Sequence, residues 1–301
     1  MMTSTKLAVS IDQLSFFSGL LVLRGSASNI GRQISSVYVE IGDFGCATLY
    51  NHPAKDQFYF HGMIPFSDHN NFRQPRLVIS YEDGNQERLD DIVGPGICAE
   101  PGHQLFGKFL QRVNAMPRGA ALEIGSRARS GITRRALIPS GWEYVGFDIV
   151  QGENVDVVGD AHTMSRQLPN GHFNVTMSFS VFEHLAMPWK VVLEMNKVMA
   201  PNGVAFIQTH QSWPLHETPW DFWRFSDSTW AALFNPATGF RIIDAASSEP
   251  LMMVAQRWHP IVNYGQAGGF ALSAVLVEKV GETSLEWDVD LSGIVVGDYP
   301  Y

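Results

Sequence analysis

Apolar and polar positions follow two different rhythms along this chain, and the change falls near residue 98. Before it, short apolar runs alternate with turn residues: Leu20–Leu23 between glycines, Val37–Ile41, Phe58–Ile64 and Arg76–Tyr81. The last of these meets Glu87–Leu89 across a Glu82-Asp83-Gly84-Asn85 turn, which predicts a hairpin. Strands at this spacing without a helical period predict a small β-sandwich over residues 1–98. Gly94-Pro95-Gly96 punctuates the chain there and marks a domain boundary, leaving 99–301 as a second domain.

Beyond the boundary, Leu105, Phe106, Phe109, Leu110 and Val113 recur at helical spacing and predict one amphipathic helix over 103–116. Apolar runs then alternate with helical stretches. Ala121–Ile124, Tyr144–Phe147, Val155–Val158, Phe173–Ser178 and Val204–Ile207 read as strands, and Trp189–Met199 as a helix. A further helix is expected from about Ile132, behind the glycine turn that ends the first of these strands. Phe240–Ile243 and Phe270–Val277 supply two closing strands. This alternation predicts a mostly parallel sheet with helices on both faces, an α/β fold.

The 301 residues are 45% hydrophobic and 17% charged, which suits about two globular domains with real cores. A net charge of −9 argues against sequence-independent nucleic-acid binding. No signal-like apolar run follows the first residues and no run of ~18 apolar residues occurs, so the expectation is a cytoplasmic protein without a membrane span. Cys46 and Cys98 read as thiols rather than a disulfide. His52, His61 and His69 follow no metal-ligand spacing, and no metal is implied anywhere in the chain.

Candidate chemistry gathers at the carboxyl ends of the second domain's strands, where open α/β sheets hold ligands. Glu123-Ile124-Gly125-Ser126-Arg127 ends the first strand. Asp148-Ile149 ends the second, where a carboxylate can accept both hydroxyls of a ribose. Asp160-Ala161-His162 follows the third, where a side chain can read an adenine amino group. Ser178, Ser180 and Glu183-His184 follow the fourth. Each aspartate could instead cap the next element. After the fifth strand, residues 209–225 hold His210, Trp213, His216, Trp220, Trp223 and Arg224, a wall of rings and polar groups suited to an organic acceptor. Asp221 and Arg224, three apart, could also simply pair.

In this order, Glu123-x-Gly125, Asp148, Gly159-Asp160-Ala161, Glu183-His184 and the Met199-Ala200-Pro201-Asn202-Gly203 turn resemble class I S-adenosylmethionine-dependent methyltransferases, closest to the broad type 11 group, over about residues 118–279. The family's second and third loop glycines are missing or displaced. The resemblance implies a Rossmann-like seven-stranded fold and S-adenosylmethionine as cofactor. It places Glu123, Gly125, Ser126, Arg127, Asp148, Ile149, Asp160, Ala161, His162, Ser178 and Ser180 at the cofactor. The expected reaction is methyl transfer (EC 2.1.1.-) to an oxygen of a small-molecule or glycan acceptor. His184 or His210 serves as the base, or the histidines only hydrogen-bond an acceptor that is already ionised, and Trp213, His216, Trp220, Trp223 and Arg224 hold the acceptor. The first domain distantly resembles immunoglobulin-like modules attached to some glycan-modifying transferases, and a homodimer through it stays open. Two other readings remain: a non-catalytic methyltransferase-like module, kept alive by the altered loop, and a nicotinamide-dependent oxidoreductase, which Glu123 and the absence of G-x-G-x-x-G disfavour.

Overall fold

The computed structural model describes residues 7–17, 20–40, 46–54, 57–65, 75–90, 92, 101–252, 268–291, 294 and 299. Gly94–Gly96, Cys98 and His69 lie outside them. The chain divides into two compact units, one of residues 1–98 with 251–269 and the other of 99–250 with 270–301. Among the described residues, no helix is long and apolar enough to cross a membrane.

The first unit is all β. Its strands are β1 (Leu7–Phe17), β2 (Leu20–Asn29), β3 (Ile34–Glu40), β4 (Cys46–Thr48), β5 (Tyr50–Ala54), β6 (Gln57–Pro65), β7 (Arg76–Tyr81) and β8 (Gln86–Leu89). They form two four-stranded sheets, ordered β1-β2-β6-β5 and β4-β3-β7-β8. Alternate residues of both sheets, among them Leu21, Leu23, Val37, Val39, Phe60, Leu77 and Ile79, share one core. The β7–β8 hairpin turns through Gly84 at φ +81°, a conformation open to glycine at no steric cost.

The second unit opens with α1 (Pro101–Ala115) and β9 (Ala120–Ile124), followed by β10 (Glu143–Asp148), β11 (Val157–Val158) and β12 (Phe173–Phe179). Then come α2 (Pro188–Val198), β13 (Met199–His210), α3 (Asp227–Leu233), β14 (Phe240–Met252) and β15 (Gly268–Lys279). One seven-stranded sheet results, ordered β11-β10-β9-β12-β13-β15-β14. The pairs from β11 through β13 are parallel, and β15 runs antiparallel to β13. Leu105, Phe109 and Val113 of α1 cover one face against Ala121, Val175, Met177 and Phe206. α2 and α3 cover the other through Val191, Val192, Met195, Val198 and Trp230. This is the Rossmann-like architecture the alternation predicts.

One expected element is absent. No α-helix begins near Ile132; residues 125–142 form a loop with a single 3-10 turn at Arg135–Leu137. Gly131, at φ +72°, and Pro139 bracket only seven residues, and the residue before a proline is driven out of the helical region, as Ile138 is at ψ 132°. Met199-Ala200-Pro201-Asn202-Gly203 is likewise not a turn preceding its strand but part of β13, with a register shift against β12 that absorbs Asn202 at φ +60°.

Candidate active site

Strand order reverses between β9 and β12, and a cavity of 410 Å³ opens at their carboxyl ends. Gly125 follows β9 at φ +77°, and a Cβ there would stand 2.0 Å from Val181 Cγ2, so only glycine lets the two strand ends close up. Of the residues expected from sequence, Gly125, Arg127, Asp148, Ile149, Asp160, Ala161, His162, Ser180, His184, His210, Trp213, His216 and Trp220 line the cavity together.

At β10's end, Asp148 Oδ2 accepts the Arg127 N–H (3.0 Å) and Oδ1 accepts the Val150 N–H (3.0 Å). Two backbone donors thus fix the carboxylate at the cavity wall while leaving lone pairs for a ligand's hydroxyls. Asp160 Oδ1 accepts the N–H of His162 and faces its Nδ1 at 2.6 Å, so it does cap the following 3-10 turn. His162 Nε2 accepts the Met187 N–H (3.2 Å), which makes Nδ1–H the donor to Asp160. Burial opposes ionisation of Asp160, but the hydrogen bonds from His162 outweigh it and hold the carboxyl below its ordinary range. His162 is therefore a positioning residue for Asp160.

Five expected residues do not line the cavity. Glu123 is buried on the α1 face of β9, the side opposite Leu122 and Ile124, because side chains alternate along a strand. Its carboxylate accepts from Tyr144 Oη and from Arg134 (3.3 Å), with Asn154 at 3.5 Å. Burial pushes its pKa up, and those partners only partly offset the rise. Ser126 and Ser178 are buried away from the cavity. The Trp223 indole N–H donates to the Leu185 carbonyl (2.8 Å). Arg224 forks onto both Asp221 oxygens (2.6 and 2.8 Å) and donates to the carbonyls of Trp213 and Pro214, tying the aromatic loop to itself.

The arginines after β9 do not surround a helix end. Arg129 pairs with Glu217 (2.6 Å), Arg135 with Asp156 (2.6 Å), and Arg134 lies 3.8 Å from the Phe179 ring centre. With no helix N-terminus here, the pyrophosphate seat of a dinucleotide enzyme is missing, and the nicotinamide reading loses its footing.

Glu183 lies beneath the cavity floor, fully buried, with the Thr209 hydroxyl donating to Oε2. Its Oε1 stands 2.9 Å from His210 Nδ1 and 3.8 Å from His184 Nε2. Burial alone would raise this carboxyl's pKa; the adjacent His210 and the Thr209 hydroxyl hold it below its ordinary value. His184 Nδ1 donates to the Trp220 carbonyl (2.6 Å), which leaves Nε2 as an acceptor. His210 stacks on Trp213 at 4.9 Å. The sequence reading missed Glu217, Leu291 and Tyr299 in the wall. Tyr299 packs edge-on to His184 and Trp220, and burial pushes its hydroxyl up to about 12. An aromatic near the end of the chain carries no motif, so no pattern in the sequence marks it.

Residues 101–247 match the family profile described as a methyltransferase domain. Similar solved structures include the YcgJ protein of Bacillus subtilis, 16% identical over 58% of this chain and 97% of that one (TM-score 0.41). An S-adenosylmethionine-dependent methyltransferase from Archaeoglobus fulgidus is 15% identical over 59% and 92% (TM-score 0.43). The Burkholderia thailandensis 1,6-didemethyltoxoflavin-N1-methyltransferase, solved with its substrate and S-adenosylhomocysteine, is 13% identical over 61% and 80% (TM-score 0.43). No curated protein matches the sequence. The profile match falls on the unit whose sheet carries this cavity, and residues 101–247 are an S-adenosylmethionine-dependent methyltransferase domain.

Proposed function

We propose that this domain transfers the methyl group of S-adenosylmethionine to an oxygen of a small-molecule or saccharide acceptor. The observation that carries the reading is a single cavity wall holding both Asp148 with Asp160 and the His184, His210, Trp213, His216 and Trp220 group. Asp148 takes the ribose hydroxyls and Asp160 the adenine end, with Ile149 and Ala161 beside them. The sulfonium is already a good leaving group, so the protein's work is in-line placement and exclusion of water. An acceptor hydroxyl must lose its proton as the methyl arrives, and His184 or His210, both backed by Glu183, takes it. The rings of Trp213 and Trp220 cover the acceptor's apolar face. Residues 99–301 form the catalytic part, and the first unit is an accessory module of immunoglobulin-like type.

The test is incubation with methyl-labelled donor and fractionated small-molecule and oligosaccharide pools, followed by single-turnover rates on the acceptor found. His184→Ala or His210→Ala should lower the rate by about 10²–10⁴. Parental rates in both variants remove the base from this reading, and label appearing on nitrogen or carbon removes the oxygen.

A further inference from the structure

We propose that Glu183, His210 and His216 form a binding site for a divalent transition-metal ion of the zinc class at the acceptor end of the cavity. Their three ligand atoms all lie within 4.8 Å of one another. Sequence spacing pointed to no metal because the three residues come from separate segments: the turn after β12, the end of β13 and the aromatic loop.

Glu183 and His216 each have one atom committed elsewhere, and Glu183 and His210 each bury one atom that makes no hydrogen bond. Glu183 Oε2 takes the Thr209 hydroxyl, while the buried Oε1 has no hydrogen-bond partner. His210 Nδ1 is buried in the same condition: it stands 2.9 Å from Oε1 but out of line for a hydrogen bond. Two unpaired buried polar atoms at that separation are costly as they stand and natural as adjacent ligands of one ion. His216 Nδ1 lies 3.2 Å from the Pro214 carbonyl and 3.3 Å from Asp221 Oδ2, and donating there leaves Nε2 free. Metal-binding histidines are held by such an outer hydrogen bond, and the Arg224 fork in turn fixes Asp221. Stacking on Trp213 fixes the His210 ring.

An ion pair between Glu183 and His210 accounts for less. It leaves both atoms misaligned, and it gives no reason for His216 to stand 5.1 Å from His210 and 4.7 Å from His184, ring centre to ring centre. A dication satisfies one carboxylate oxygen and two imidazole lone pairs together. Two histidines with one glutamate is a zinc-type donor set that keeps a fourth position open. His210 and His216 line the cavity, so that position faces the space where an acceptor oxygen enters. That last step rests on the acceptor reading above; the metal site itself does not.

Untagged full-length protein titrated with zinc chloride in a calorimeter should bind one equivalent. Cobalt(II) chloride should give the visible absorption of a four-coordinate site. His216→Ala, whose side chain is only partly buried, should weaken zinc binding about 100-fold or more and abolish the cobalt bands. His172→Ala, on the surface pair with Glu143, should change neither. S-Adenosylhomocysteine is titrated into the same samples. Absence of zinc heat and cobalt bands while S-adenosylhomocysteine still binds overturns the metal site alone. Failure of both overturns the cofactor reading as well. Equal zinc affinity in the parent and His216→Ala also overturns the site.

Discussion

Asp148 shows what a single position at a strand end can do. Its carboxylate is clamped by two backbone N–H groups and stands in the cavity wall. Asp148→Ala should weaken S-adenosylhomocysteine binding by roughly 1.5–3 kcal/mol, about 10- to 150-fold, with the circular dichroism spectrum unchanged. Calorimetry decides it, and parental affinity would move the ribose elsewhere. This residue was legible because a polar residue closing an apolar strand is visible in the sequence. Glu123 sits just as visibly in the first motif, yet its side chain points to the opposite face, which only the register of β9 settles. Its raised pKa has a consequence for stability. A folded-state pKa above the unfolded value means the folded protein holds the proton more tightly. The stabilisation is complete below the ordinary carboxyl range and is lost as pH rises through the folded value. Glu123→Gln removes that dependence, so the variant should gain stability relative to the parent as pH rises from 4 to 8. Urea midpoints at both ends of that range measure it, and a difference that shrinks with pH would reverse the sign.

At the scale of elements, the long apolar-periodic segments were readable and the short ones were settled by packing. α1, α2, β9, β10 and β12 fall close to where the hydrophobic period puts them. The helix expected from Ile132 failed because Gly131 and Pro139 leave too little chain between them, a local signal that the strand-turn-helix pattern overrode. α3 has seven residues and cannot be stable by propensity. It is held by Trp230, fully buried, stacked on Phe225 at 5.1 Å and donating its indole N–H to Ser273 Oγ at 2.8 Å. Ser273 in turn donates to Asp227, the first residue of α3 (2.8 Å). Trp230→Ala should therefore cost about 3–5 kcal/mol of stability, read from denaturant unfolding followed by circular dichroism. A loss under about 1 kcal/mol would mean the pocket around the indole collapses without harm.

For the whole molecule, the sequence boundary near residue 98 and the two compact units differ in one respect: Leu251–Gly269, from the end of β14 to the start of β15, groups with the first unit. A linear reading has no means of finding this, since a glycine-proline break marks where a chain leaves a domain and not where it later returns. The consequence is specific. All the cavity-lining residues belong to the second unit, so a chain of residues 99–301 should bind S-adenosylhomocysteine within about threefold of the full protein, a difference under ~0.7 kcal/mol. Calorimetry on both proteins, each shown to be folded by circular dichroism, measures it. If the truncated chain folds yet binds nothing, the first unit builds part of the cofactor site.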